Sequence, residues 1–152
     1  MVTKTPTIKQ LQPGDLGQFR TLNQLFADCF DDAENYLSNP PSDEYLTGLL
    51  EKDNVVPIIA LVDGTVVGGL VAYELEKFEQ QRSELYIYDL AVDEGYRRQG
   101  IATALIEAVR QVARQRKAWV VYVQADYGDE PAVELYSKLG IRDYVLHFDI
   151  EP

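Results

Sequence analysis

Val92-Asp-Glu-Gly-Tyr-Arg-Arg-Gln-Gly-Ile-Ala-Thr103 joins two segments of different period, and its reading decides the fold. Before it, Glu84-Leu-Tyr-Ile-Tyr-Asp-Leu-Ala-Val92 is nearly all apolar or aromatic, as a central strand covered on both faces should be. After it, Ile101, Leu105, Ala108 and Val112 recur at helical intervals, with Arg110, Gln111 and Arg114 off that stripe. This predicts an amphipathic helix beginning near Gly100.

Upstream, Pro57–Val62 and Thr65–Leu75 are β-rich runs separated by Asp63-Gly64, a dipeptide suited to the positive φ values of a two-residue hairpin turn. Ile8–Leu11 reads as a short strand. Asp15 reads as a helix N-cap before Leu16, Phe19, Leu22, Phe26 and Phe30, and a second helix follows Ser42. Asp28, Asp31, Asp32, Glu34 and Asn39-Pro40-Pro41 between them read as an acidic loop. Downstream, Ala118–Val123 reads as a buried strand, and Pro131 opens a helix carrying Ala132, Leu135, Tyr136 and Leu139 that Gly140 caps. Alternation of Tyr144, Leu146, Phe148 and Ile150 with Val145, His147 and Asp149 predicts a last strand. The order predicts an α/β fold, a mixed sheet with helices on both faces.

With 152 residues and 46% hydrophobic content, residues 1–152 are expected to form one domain with a sizeable core. The sequence shows no secretory signal and no apolar run long enough for a membrane span, so a cytoplasmic protein is expected. The single cysteine, Cys29, sits in helical phase with Leu22, Leu25 and Phe26 and is expected as a core thiol. A net charge of -11 argues against a nucleic-acid partner and favours a cationic ligand.

The turn between strand and helix carries unusual chemistry. Arg97 and Arg98 stand beside the positive end of a helix dipole, where a cation is disfavoured unless something anionic compensates. Backbone N–H groups at a helix N-terminus make a phosphate cradle, and the small residues Gly100 and Ala102 leave room for a pyrophosphate. Neither a Gly-Lys-Ser/Thr triphosphate loop nor a Gly-x-Gly-x-x-Gly dinucleotide fingerprint is present.

Arg97-Arg98-Gln99-Gly100-Ile101-Ala102 resembles the Gln/Arg-x-x-Gly-x-Gly/Ala motif of the GNAT superfamily of N-acetyltransferases. Asp89-Leu90-Ala91-Val92 before it and Ala132-Val-Glu-Leu-Tyr-Ser-Lys-Leu-Gly-Ile141 after it resemble that family's neighbouring strand and later helix. The resemblance implies a mostly antiparallel twisted sheet, splayed at its central strands to hold acetyl-CoA, with no metal. It implies that the backbone of Leu90, Ala91 and Val92, beside a β-bulge, pairs with the pantetheine arm. Arg97, Arg98, Gln99, Gly100, Ile101, Ala102 and Thr103 would then hold the pyrophosphate. Asp129 stands where many members carry an asparagine that touches CoA, and adds a negative charge there.

From about Leu25 to Asp149 the chain resembles the aminoglycoside 3-N-acetyltransferases of the GNAT type. Pro41-Ser-Asp-Glu-Tyr-Leu46, Lys77-Phe-Glu-Gln80, Tyr122-Val-Gln-Ala-Asp-Tyr-Gly-Asp129 and His147-Phe-Asp-Ile150 carry that resemblance. It implies a drug-modifying, resistance-conferring enzyme acting on the 3-amino group of the 2-deoxystreptamine ring. Such polycations need carboxylates for their ammonium groups and polar or aromatic edges for their sugars. Asp31, Asp32, Glu84, Asp126, Tyr127, Asp129 and Asp149 are the candidates.

Direct acyl transfer needs a neutral amine and a base. Asp89, a carboxylate in an otherwise apolar strand, is the candidate base, with Glu84 as runner-up and substrate orientation as Asp89's other reading. Tyr136 matches the family's thiolate-facing tyrosine. His147 alternates outward, which points to a structural or substrate-lining role. Rival readings are a polyamine or protein N-acetyltransferase and a non-catalytic acetyl-CoA-binding module. Open β edges near the C-terminus make a homodimer a further expectation.

Overall fold

Asp63 and Gly64 take φ values of 50° and 79°, so the dipeptide turns the chain as its sequence predicts. It joins β2 (Val55–Val62) to β3 (Thr65–Glu76), with Val62 opposite Thr65. The computed structural model describes residues 4–152. β1 (Thr7–Gln10) pairs outside β2, and β4 (Ser83–Val92) pairs with β3, all antiparallel. β5 (Val120–Val123) completes an open five-stranded sheet in the order β1-β2-β3-β4-β5.

β5 runs parallel to β4. The Trp119 N–H donates to the Ser83 carbonyl at 3.0 Å, and three residues further along both strands Tyr122 stacks on Tyr86. Such a connection needs a crossover, here α4 (Ile101–Arg116). Because β5 ends at Val123, only the first half of β4 has a strand neighbour on that side among the described residues.

Two adjacent glycines in β3 show how the helices are layered. Successive strand residues point to opposite faces. A Cβ on Gly68 would meet Ile101 of α4 at 3.2 Å, whereas one on Gly69 would meet Leu22 of α1 (Leu16–Phe30) at 2.4 Å. Helices therefore cover both faces, and the missing side chains let each one approach.

The chain divides into two compact units, the first ending at Tyr122 and the second spanning Val123–Pro152. The first holds the core: Phe19, Leu22, Leu25 and Phe26 of α1 and Leu46 and Leu50 of α3 (Asp43–Leu50) pack with Ile59 and Val71. α3 starts where its Ser42 cap predicts, the Ser42 hydroxyl accepting from the Tyr45 N–H. α4 buries Ile101, Leu105, Ile106, Val109 and Ala113, leaving Ala108 and Val112 half-buried at the edge of the stripe. Cys29 is half-buried at the rim of the core, its thiol 3.7 Å from the Val92 carbonyl. No described helix is long and apolar enough to cross a membrane.

Four expectations change. The acidic stretch contains a short helix, α2 (Ala33–Leu37), because the Asp32 carboxylate caps its start. β4 alternates instead of being covered evenly: Leu85 and Ile87 are buried while Tyr86 is half-buried and Tyr88 exposed. β5 is half-buried throughout, as the edge strand of the sheet among the described residues. In the second unit, α5 (Glu130–Leu139) forms with Asp129 as its cap and ends at Gly140, whose N–H donates to the Tyr136 carbonyl from extended backbone, but Tyr144–Ile150 is not a strand. Alternation supplies a face, but strand backbone also needs a neighbour for its N–H and C=O groups, and residues 144–150 form no ladder among the described residues.

Candidate active site

β4 changes phase at one residue. Val71 of β3 pairs with Asp89 and Ala72 with Ile87, so Tyr88 is the extra residue of a β-bulge. Without it, the alternation of strand side chains would set Asp89 on the face opposite Tyr86. With it, Asp89 shares the α1 face with Tyr73 and Tyr86, since it pairs with Val71 and Tyr86 pairs with Tyr73. The bulge lies where the resemblance requires it, immediately before Leu90, Ala91 and Val92.

Asp89 is half-buried and accepts a hydrogen bond from the Tyr36 hydroxyl, 2.6 Å from its Oδ2. Burial pushes the Asp89 carboxyl above the usual carboxylate range, and the Tyr36 hydrogen bond opposes that rise by favouring the ionised form. Burial and the adjoining carboxylate push the Tyr36 phenol far upward, so it remains a donor through neutral pH. Its ring lies 6.0 Å from both Phe26 and Phe30, which stack on each other at 5.6 Å. α1 thus positions α2, and α2 positions the donor.

A row of tyrosines extends from this pair. Tyr88 meets Tyr73 and Tyr86 edge-on at 5.9 Å each, and Tyr86 stacks on Tyr122 at 4.7 Å. Burial raises the phenols of Tyr73, Tyr86 and Tyr122, so the row presents neutral rings and hydroxyls. Sequence reasoning missed both Tyr36 and the row. Tyr86 and Tyr88 were legible only as apolar strand residues, and Tyr36 lies in a stretch whose charge masked its helix.

Glu84 is occupied differently. Its carboxylate lies 3.5 Å from Lys77 Nζ and accepts from Trp119 Nε1 at 3.3 Å, while the Arg82 guanidinium covers the Trp119 ring at 4.1 Å. Five residues also separate it from Asp89, on the order of 15 Å along a strand. These contacts describe a braced edge, with the Glu84 carboxylate already partnered. Asp32 spends its carboxylate on Asn35, accepting from the backbone N–H at 3.2 Å and from Nδ2 at 2.8 Å. Asp31 is exposed at the left-handed C-cap of α1.

The turn after β4 is built from backbone. A 3-10 turn, Glu94–Tyr96, is fixed by the Asp93 carboxylate accepting from the Gly95 N–H at 2.9 Å. Arg98 and Gly100 then take positive φ, 60° and 80°, and α4 begins. The first bond back onto Gly100 comes from the Ala104 N–H, at 3.0 Å, so the N–H groups of Ile101, Ala102 and Thr103 have no carbonyl inside the helix. No side chain caps the helix, and a Cβ built on Gly100 meets nothing within 4 Å. Arg97 turns back, its Nε donating to the Val92 carbonyl at 3.1 Å, while Arg98 and Gln99 are exposed. This uncapped, open N-terminus with neighbouring cationic side chains fits a phosphate or pyrophosphate.

In the second unit, Asp129 caps α5, accepting from the Ala132 N–H at 3.4 Å, and its own N–H donates to the Asp126 carbonyl. Asp126 and Tyr127 are exposed. Tyr136 is half-buried on α5, and burial followed by the Asp129 charge raises its phenol, keeping it protonated. Asp149 is exposed and lies 2.9 Å from His147 Nε2. No cluster of three or more metal-ligating side chains occurs among the described residues.

The acetyltransferase (GNAT) family pattern matches residues 19–141. The chain belongs to this family. Its members draw on acetyl-CoA, and the bulged strand and uncapped helix are therefore read in an acetyltransferase. The chain is similar to a solved aminoglycoside acetyltransferase from an uncultured soil metagenomic sample, with 50% identity, a TM-score of 0.96, and 98% and 99% of the two chains covered. It is also similar to a second soil metagenomic aminoglycoside acetyltransferase solved with sisomicin, at 34% identity and a TM-score of 0.90 over 97% and 96% of the chains. An N-alpha-acetyltransferase of Sulfurisphaera tokodaii is 34% identical over 56% of this chain, and the match spans 55% of that protein's length.

Proposed function

We propose that this GNAT acetyltransferase acetylates an aminoglycoside on the 3-amino group of its 2-deoxystreptamine ring, inactivating the antibiotic in the cytoplasm. The observation that carries the reading is the 50% identity, over nearly the whole length, to a solved aminoglycoside acetyltransferase. The excess of acid over base agrees with a polycationic substrate, and the tyrosine row beside Asp89 offers rings and hydroxyls to sugars.

Acetyl-CoA supplies the activated acetyl group as a thioester. The N–H groups of Ile101, Ala102 and Thr103, with Arg98 and Gln99, hold its pyrophosphate, and the Leu90–Val92 backbone guides the pantetheine arm beside the part of β4 that lacks a β5 neighbour. Asp89 takes the proton that the attacking amine must lose, as its new N–C bond forms and the C–S bond breaks. A carboxylate raised by burial is a stronger base than an exposed one. Tyr36 is a positioning residue: its hydroxyl fixes the Asp89 carboxylate and leaves the other oxygen for the substrate. Tyr136 is assigned the sulfur side, where a protonated phenol donates to the departing thiolate. Asp31, Asp126, Tyr127, Asp129 and Asp149 are proposed substrate contacts, with Asp32 and Glu84 contributing field more than direct contact.

A second reading, acetylation of a protein N-terminus, is favoured by the similarity to the N-alpha-acetyltransferase of Sulfurisphaera tokodaii. Release of free CoA thiol from acetyl-CoA with gentamicin, kanamycin, spermidine and a basic peptide separates the two. Turnover confined to the aminoglycosides, with the product's acetyl group on the 3-amino nitrogen by NMR, is the expected result. Turnover with peptide or spermidine alone overturns the substrate assignment, and binding of acetyl-CoA with no turnover overturns the enzymatic one.

A further inference from the structure

The β-bulge of β4 does more than turn Asp89 onto the α1 face. Its extra residue, Tyr88, meets the rings of Tyr73 and Tyr86 at 5.9 Å each, with interplanar angles of 79° and 87°. The Tyr88 side chain therefore lies on that same face, next to Asp89. Tyr73 and Tyr86 are directly opposed across β3 and β4, and edge-on contact with both suits the charge distribution of aromatic rings. The Tyr88 ring is clamped between them. It is also open, at 61% exposed, whereas Tyr73 and Tyr86 are half-buried.

A lone exposed ring needs no explanation, but a clamped ring beside a half-buried carboxylate is suited to binding. A side chain whose rotamer is already fixed loses little freedom when a ligand seats on it. The face of a tyrosine ring carries partial negative charge and attracts ammonium groups. A further carboxylate at this position would attract them too, but its charge would push the Asp89 carboxyl still higher. A neutral ring holds a cation without that effect. The aromatic surface continues from Tyr86 to Tyr122, stacked at 4.7 Å, so it runs away from Asp89 toward β5. A ligand whose reacting amine lies at Asp89 has room to extend over it.

We propose that Tyr88 is a specificity-determining residue of the amine site: its open ring face receives a second, non-reacting ammonium group, carried by a neighbouring sugar ring of the polycation whose reacting amine lies at Asp89. One extra residue in β4 thus sets the base and a cation platform side by side. A substrate with a single amine engages Asp89 alone, and a polycation engages both. The assignment rests on the aminoglycoside reading and narrows its charge argument from the acidity of the whole chain to one ring.

The test is gentamicin affinity by calorimetry, with steady-state kinetics, on the full chain: wild type against Tyr88→Leu, Tyr88→Phe and Tyr88→Trp. Tyr88→Leu removes the ring, and Kd and KM for gentamicin are expected to rise roughly three- to thirtyfold, the range from an exposed to a desolvated cation–π contact. Its kcat and its KM for acetyl-CoA are expected to change little. Tyr88→Phe keeps a ring and is expected to retain most of the affinity, and Tyr88→Trp, with the strongest cation-binding ring, to match or exceed it. Unchanged affinity in Tyr88→Leu overturns the assignment. So does an equal loss in Tyr88→Phe, which would put recognition in the hydroxyl, and so does a fall in kcat at constant KM, which would make Tyr88 a brace for the bulge. If Tyr88→Leu misfolds, Tyr88→Phe and Tyr88→Trp decide: affinity in the order Trp, Tyr, Phe supports the ring face, and affinity that ignores this order overturns it. A wild-type chain that neither binds nor acetylates gentamicin overturns the substrate reading and this assignment with it. Wild-type turnover of gentamicin with indifferent variants overturns the assignment alone.

Discussion

Two regions of the first unit invite comparison, the Asp89 face of β4 and the turn that leads into α4. The turn is made by backbone: positive φ at Arg98 and Gly100, an uncapped helix start, and N–H groups without helical carbonyls. The Asp89 face is made by side chains from elements far apart in sequence, Tyr36 from α2, Tyr73 from β3, and Tyr86 and Asp89 from β4. A backbone site binds whatever is anionic and of the right size, and tolerates changes in side chain. A side-chain site depends on each member, and its chemistry is lost with one atom.

The sharpest way to break this contrast is Asp89→Asn, which keeps the shape and removes the base. kcat/KM is expected to fall by about 10²–10⁴, the usual contribution of a positioned general base, while acetyl-CoA affinity measured by calorimetry stays unchanged. Unaltered turnover would remove Asp89 from the chemistry and leave it a structural carboxylate at a bulge.

Tyr36→Phe should do less, because the carboxylate survives and loses only its donor. A hydrogen bond to a charged group contributes about 1.5–3 kcal/mol, so kcat/KM at neutral pH is expected to drop roughly tenfold. The direction of the pH profile identifies the cause. Without the donor the ionised form of Asp89 is less favoured, its pKa rises further, and the acid limb of kcat/KM moves to higher pH. A uniform loss at every pH would instead indicate a packing defect among Phe26, Phe30 and Tyr36.

The difference between the two regions also explains what could be read in the sequence. The hairpin at Asp63-Gly64, the Ser42 cap and the start of α4 are short-range, set by residues adjacent in the chain. The start of α4 at Gly100, open and without a side-chain cap, lies in a turn legible for the same reason. Asp89 stood out as the single acid between Leu85 and Val92. Its partner did not, because nothing within a few residues of Tyr36 indicates that α2 folds back onto β4 across 53 positions. The bulge at Tyr88 was invisible to periodicity, since only the register against β3 reveals which residue is extra. The Tyr144–Ile150 pattern was read as a strand from its alternation alone, which reports a face and is silent about a neighbour.

In the turn, Gly100→Ala tests whether backbone geometry carries the cofactor site. There is open space for the added methyl, so sterics do not object, but φ of 80° disfavours any Cβ by about 1–2 kcal/mol. KM for acetyl-CoA is expected to rise roughly five- to tenfold, with kcat little changed because the Asp89 face is untouched. A fall in kcat at constant KM would show that the turn shapes the reacting centre and not only the cofactor's tail.

The smallest effect concerns stability and runs opposite to activity. Asp89 has a pKa raised by burial in the folded chain, so folding favours its neutral form. The sign follows from linkage: the contribution is fully present below the unfolded-state pKa, near 3.9, and is lost as pH rises through the folded-state value. At neutral pH the ionised carboxylate therefore destabilises the fold relative to an uncharged isostere, even with Tyr36 donating to it. Asp89→Asn is expected to raise Tm by a few degrees at pH 7 and to leave it unchanged at pH 3, where the wild-type carboxyl is already neutral. A Tm that falls at both pH values would mean that the Tyr36 bond outweighs the burial cost, and that the acid is held at the bulge for the structure it makes and not for the proton it takes.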